Sequence, residues 1–203
     1  MDQNFNRLRL CGQVLSPPVF SHLNHGMSFF KFPLSIDRLS GQTDVLTVIA
    51  SESLLQSALH AGDFVTVEGQ LRSFNNKSGV GHRLIISVFA RTLAVEGHLP
   101  FNLIQLSGIL CKAPTLRHTP LGREICDIIL AVNRRYGRAD YLPCIAWGMV
   151  AHQIAEMPVG SRLTVEGRIQ SRTYTKNIGG TLTEHTAYEV SIMRPADREE
   201  FLI

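Results

Sequence analysis

The chain has 203 residues, 44% of them apolar and 18% charged, with a formal net charge of +3. That apolar fraction can bury a core, which excludes a disordered chain, and no apolar run reaches the ~18 residues of a membrane span. Cys11, Cys111, Cys126 and Cys144 stand alone, none in a C-x-x-C pair, so no zinc site, redox pair, metal or cofactor is expected.

In chain order, Met1–Phe5 show no basic stretch followed by an apolar one, so no secretory leader is expected; the isolated thiols make a cytoplasmic location the expectation. Asn6-Arg-Leu-Arg-Leu-Cys-Gly12 then opens a segment that returns 96 residues later as Asn102-Leu-Ile-Gln-Leu-Ser-Gly108. At the same offset Pro18 falls on Pro114, His22 on His118, Gly26 on Gly122, Asp44 on Asp140 and Ala50 on Ala146. After two extra residues the offset is 98: Gly62 matches Gly160, and Thr66-Val-Glu-Gly69 matches Thr164-Val-Glu-Gly167. A constant offset over so many positions marks two copies of one unit, about 5–94 and 101–194. The domains are therefore taken as 1–95 and 101–195, joined through Val95–Pro100, with a short C-terminal segment 196–203.

Within the second copy, five apolar runs read as strands: Leu103–Leu110, Ile125–Val132, Tyr141–Trp147, Leu163–Thr173 and Ala187–Met193. A polar turn region with Pro114 and Gly122 separates the first two. Met149–Met157 is the one helical candidate, with apolar residues at 150, 151, 154 and 157 and a stop at Pro158 and Gly160. Ser53–His60, closed by Gly62, is its counterpart in the first copy. Five strands with a helix between the third and fourth is the OB-fold order. The expected fold is all-β: two tandem five-stranded OB-fold barrels, each with that short helix. Ser171–Gly180 and Ser73–Arg83 are read as the long hairpins between strands four and five.

An OB barrel binds single strands on one face, stacking bases on aromatic rings and running phosphates along cations. Strand alternation puts Leu142, Cys144 and Ala146 inward, and Tyr141, Pro143, Ile145 and Trp147 outward. In the fourth strand Leu163, Val165, Gly167 and Ile169 suit the core, leaving Arg168, Gln170, Arg172 and Tyr174 outside. Taken singly, Tyr141 and Trp147 read equally well as half-buried packing residues; their phase with arginines favours stacking. Arg134-Arg135-Tyr136-Gly-Arg138 reads as a basic loop that hooks the polynucleotide backbone, and Lys176 sits at the hairpin tip. Charge supports this division: net +4 over 102–195, +1 over 1–101 and −2 over 196–203. The first copy has Val45, Ser51 and Asn76 where the second has Tyr141, Trp147 and Tyr174; it keeps Arg38, Arg72 and Lys77, with Phe74 as a substitute ring. Weak binding, or a role in assembly, is expected of it.

The second copy resembles the bacterial single-stranded DNA-binding proteins. The resemblance lies in Asn102–Gly108, Ala113-Pro114, Ile128–Arg134, Tyr141–Gly148, Val165–Tyr174 and Tyr188-Glu-Val190. The first copy is similar more faintly, through Asn6–Gly12, Phe32–Arg38 and Val67–Arg72. The resemblance implies base stacking on Tyr136, Tyr141, Trp147 and Tyr174, no catalysis and no cofactor. It also implies a bacterial, nucleoid-associated location. Members with two OB-folds per chain form homodimers, bringing four OB-folds together, and that assembly is expected. Family members usually end in a long tail with an acidic, hydrophobic tip that recruits replication and repair proteins; Asp197–Ile203 is either a short version or a plain terminus. The rivals are a primosomal replication-restart accessory protein and an OB-fold module for protein or oligosaccharide. The scattered His residues, including His22 and His25 in one loop, are read as surface residues, so no enzyme is expected.

Overall fold

The structure is a computed structural model that describes residues 5–55, 57–76, 84–134, 137–178 and 181–196. The first copy runs β1 (Phe5–Val14), β2 (Val19–Asn24), β3 (Met27–Asp37), β4 (Thr43–Ser51), a 3₁₀ turn (Glu52–Leu54), β5 (Phe64–Asn75) and β6 (Leu84–Ala94). The second runs β7 (Phe101–Leu110), β8 (Thr115–His118), β9 (Glu124–Asn133), β10 (Ala139–Trp147), α1 (Gly148–Ala155), β11 (Arg162–Ile178) and β12 (Thr181–Pro195).

Each copy closes in the same way. β1 pairs with β5 and β3, β3 with β4, β4 runs parallel to β6, and β6 neighbours β5. In the second copy β7 pairs with β11 and β9, β9 with β10, β10 runs parallel to β12, and β12 returns along β11. Both are all-β, five-stranded barrels with the OB-fold connection. β2 and β8 are additions that the sequence presented as turn regions. Each is short and pairs with the strand that follows it, and Thr115–His118 is exposed throughout, so no inward apolar alternation announces it.

The helical element differs between the copies. α1 spans two turns and buries Ala151 and Ile154. Its expected counterpart over 53–60 is a single 3₁₀ turn. The connection there is two residues shorter, 52–63 against 148–161, which leaves less chain for a second turn.

The glycines shared by the repeats mark the crossings where the barrels shut. A Cβ on Gly12 would overlap the Ser35 carbonyl oxygen, and one on Gly108 would lie 2.8 Å from that of Ala131. Gly69 and Gly167 meet the Phe89 and Ser191 carbonyls in the same manner. Gly167→Ala is accordingly expected to cost about 1–3 kcal/mol by overpacking. A lowered urea midpoint at unchanged slope is the measurement.

By contacts, the residues group into two compact units that do not follow the repeat. One holds Arg7–Arg72 and Ile86–Leu103; the other holds Ile104–Ile203 with Met1–Asn6 and Ser73–Ile85. The end of β5, written in the first copy, thus packs with the second.

Candidate nucleic-acid interface

The alternation of β10 and β11 builds one outer face on the second barrel. Leu142, Cys144 and Ala146 are buried, whereas Tyr141 is 51% and Trp147 37% exposed. On β11, Leu163, Val165, Gly167 and Ile169 point inward, and Arg168 and Arg172 are exposed. Ile145, on the outer parity, is nevertheless buried.

Strand register lines these residues up. Thr115, Asp127, Ile145, Ser191 and Arg168 form one rung across β8, β9, β10, β12 and β11. Trp147 stands two residues beyond Ile145, and its Nε1 donates to Ser191 Oγ at 3.1 Å. Gly148, at φ 54°, turns the chain from β10 into α1 immediately after the indole, a conformation costly to other residues. Arg117, which the sequence did not single out, caps this end by pairing with Asp127, and the carboxylate raises the guanidinium pKa further.

At the other end of the face lies Tyr174. Its ring stacks on His185 at 5.7 Å and 25°, and Arg172 Cζ lies 5.6 Å above it. Arg172 Nε is also 3.7 Å from Glu189. A guanidinium laid over a ring holds both planes ready for a third. His185, Glu189 and Ser191 were invisible in the sequence as site residues because they face β11 only through the β11–β12 register.

Arg134 and Arg38 are engaged elsewhere. Arg134 Nε donates to Asp140 Oδ2 at 2.8 Å, its Nη2 to Asp140 Oδ1, and the same Nη2 to the Ser73 carbonyl at 2.9 Å. Arg38 Nε donates to Asp44 Oδ2 at 2.7 Å, with Nη2 on Oδ1. Both carboxylates are buried, Asp44 at 0% and Asp140 at 1% exposure. A buried carboxylate needs its cation, so these two arginines hold the β3–β4 and β9–β10 hairpins and leave the set available to phosphate. Arg138 is exposed, and its carbonyl closes the β9–β10 hairpin by accepting from Arg134 N–H at 2.6 Å. Arg135, Tyr136 and Lys77, and the side chain of Lys176, lie outside the described residues.

The first barrel has its own outer face, assembled differently. Val19, Lys31, Ile49 and Phe89 form the rung that Thr115, Asp127, Ile145 and Ser191 form in the second. Arg72 Cζ lies 5.7 Å over the Phe89 ring, and its Nη2 donates to Gln70. Phe29 sits 5.8 Å from Phe89, and His22 stacks on Phe29 at 5.0 Å and 7°. Phe89 escaped the sequence reading, in which His22 figured only as a surface residue: a constant offset of 98 pairs Phe89 with Ala187, whereas the rung pairs it with Ser191. Phe74 is 43% exposed at the end of β5.

Burial raises the Cys126 and Cys144 thiols above their ordinary range, so both stay protonated. Glu124 is lowered by a hydrogen bond from His152 and the nearby His118, on an exposed edge. Among the described residues no three His, Cys, Asp or Glu side chains are grouped to hold a metal ion, and no helix is long and apolar enough to cross a membrane.

The geometry has known relatives. The family model described as the single-strand binding protein family matches residues 101–194. Single-stranded DNA-binding protein B of Bacillus subtilis is 38% identical over 109 residues, covering 49% of this chain and 96% of that protein. Single-stranded DNA-binding protein 2 of Listeria monocytogenes is 36% identical over 103 residues, and the match covers 46% of this chain and 64% of that protein. The crystal structure of the wild-type single-stranded DNA binding protein from Thermus aquaticus superposes with a TM-score of 0.76 at 23% identity, over 96% of this chain and 93% of that one, a likeness of fold. With nearly all of the Bacillus subtilis protein matched at that identity and the family model spanning the barrel that carries Trp147 and Tyr174, the chain belongs to the single-strand binding protein family.

Proposed function

We propose that the protein binds single-stranded DNA with little sequence preference, through stacking and phosphate neutralisation and without catalysis or cofactor. The observation that carries this is the phasing of outward-facing rings with guanidiniums: exposed Trp147 and Tyr141 and half-buried Tyr174 share the outer face of one barrel with Arg168 and Arg172. Each stacked base contributes about 1–3 kcal/mol, and every ring accepts any base. Arg138 extends the cationic track. On the first barrel Arg72 and Phe89, with Lys31 beside them, offer a smaller set, consistent with weaker binding there. Family membership supports a bacterial cytoplasmic protein of replication, recombination or repair, assembled as a homodimer so that four barrels meet.

Trp147 is the only tryptophan of the chain, so its emission reports on the second barrel alone. Titration with oligo-dT is expected to quench it, with an apparent affinity that falls as salt rises. Arg168→Ala is expected to reduce the slope of log K against log salt by about one. Unquenched emission at saturating oligo-dT would remove the stacking assignment.

A further inference from the structure

We infer that Ser73 is a positioning residue of the C-terminal binding face, although it is encoded in the N-terminal repeat. It buckles the end of β5 onto the β9–β10 hairpin and so sets Phe74 beside the Tyr141 end of that face. This rests on the DNA-binding reading above and names a device that serves it.

Every polar group of Ser73 is engaged by that hairpin. Its N–H donates to Asp140 Oδ1 at 2.6 Å, and its carbonyl accepts from Arg134 Nη2 at 2.9 Å. Its Oγ accepts from Tyr141 N–H at 2.7 Å. The three bonds link residues 61 to 68 positions apart. Ser73 is 6% and Asp140 1% exposed, so water reaches the pair poorly and the bonds are worth more than on a surface. The same ion pair that folds the hairpin thereby grips a foreign strand, and Ser73–Ile85 groups with the C-terminal unit accordingly.

The consequence is directional. Side chains alternate along a strand, so with Ser73 turned into the buckle the next residue, Phe74, is turned out, and it is 43% exposed. Tyr141 follows Asp140 by one residue and is likewise turned out, 51% exposed. The backbone atoms that fix Tyr141 are held by the residue that fixes Phe74. Two rings from two repeats are thus set at one end of the face, with Trp147 at the far end of β10.

The test uses the full chain carrying Ser73→Ala, which keeps the Ser73 backbone bonds and removes the acceptor of Tyr141 N–H. Amide hydrogen exchange at Tyr141 is expected to speed up by about tenfold, the scale of one lost hydrogen bond. Affinity for oligo-dT is expected to fall about fivefold, with the saturating quench of Trp147 unchanged. Phe74→Ala is expected to weaken binding in the wild-type chain and to add nothing in the Ser73→Ala background, a coupling that simple destabilisation does not produce. An unchanged Tyr141 exchange rate overturns the buckle with binding intact. Independent, multiplying effects of the two substitutions overturn the positioning role. A wild-type chain that fails to bind oligo-dT overturns the binding reading and the positioning role with it, and the exchange rate then reports on the buckle alone.

Discussion

Arg134→Ala is expected to be the most damaging single change, lowering stability by about 3–5 kcal/mol. Asp140 is 1% exposed and takes both of its oxygens to that guanidinium. Removing the cation strips the carboxylate of its countercharge and leaves it the Ser73 N–H among its neutral donors, in a place where hydration cannot replace what is lost. The Ser73 carbonyl loses its donor in the same stroke. Denaturant unfolding followed by far-UV circular dichroism measures the loss. Replacing both partners with apolar residues of similar volume, Arg134→Met with Asp140→Leu, is expected to recover much of it, because no uncompensated charge then remains. A double substitution as unstable as Arg134→Ala would show that the loss is one of packing. The same reasoning applies to Arg38 and Asp44, whose carboxylate is 0% exposed.

Trp147→Ala carries the largest expected effect on binding, a loss of about 1–3 kcal/mol, or roughly fivefold to a hundredfold in affinity. The indole is 37% exposed and contributes one hydrogen bond to the fold, to Ser191 Oγ at 3.1 Å, so its removal leaves the barrel standing. Fluorescence anisotropy of a labelled oligo-dT measures the affinity, and the thermal midpoint provides the control. Trp147→Phe keeps a ring without the N–H and is expected to retain most of the binding. If Trp147→Ala unfolds the domain, the residue belongs to the core and stacking passes to Tyr141 and Tyr174.

Much of this molecule could be read along the chain. The offset between the copies gave the two barrels, because glycines at strand crossings and apolar alternation must recur wherever one fold recurs. The same alternation placed Tyr141, Trp147, Arg168, Arg172 and Tyr174 on one face, since a period of two is a local property of an extended backbone. Periodicity also located α1. It failed at 53–60, where the apolar residues permitted a helix but the connection was too short for one.

Other features were beyond a one-dimensional reading. Arg134 looks like any cation in a basic loop until Asp140 is seen to be buried beneath it. Counting residues sets Phe89 against Ala187, yet the β4–β6 register sets it where Ser191 stands in the other barrel. Ser73 reads as a hairpin residue of the first repeat, and its partners lie 61 to 68 positions away.

Taken alone, the order of residues determined the fold class, the duplication and, Ile145 apart, which side chains of β10 and β11 face outward, all of them consequences of interactions within a few residues. Which arginine is spent on a buried carboxylate, which rings share a rung and which strand end is buckled onto which hairpin were decided only by the tertiary structure. Those depend on registers and burial between segments far apart in the chain, and hydrogen bonding in a low-dielectric interior, not local propensity, selects among them.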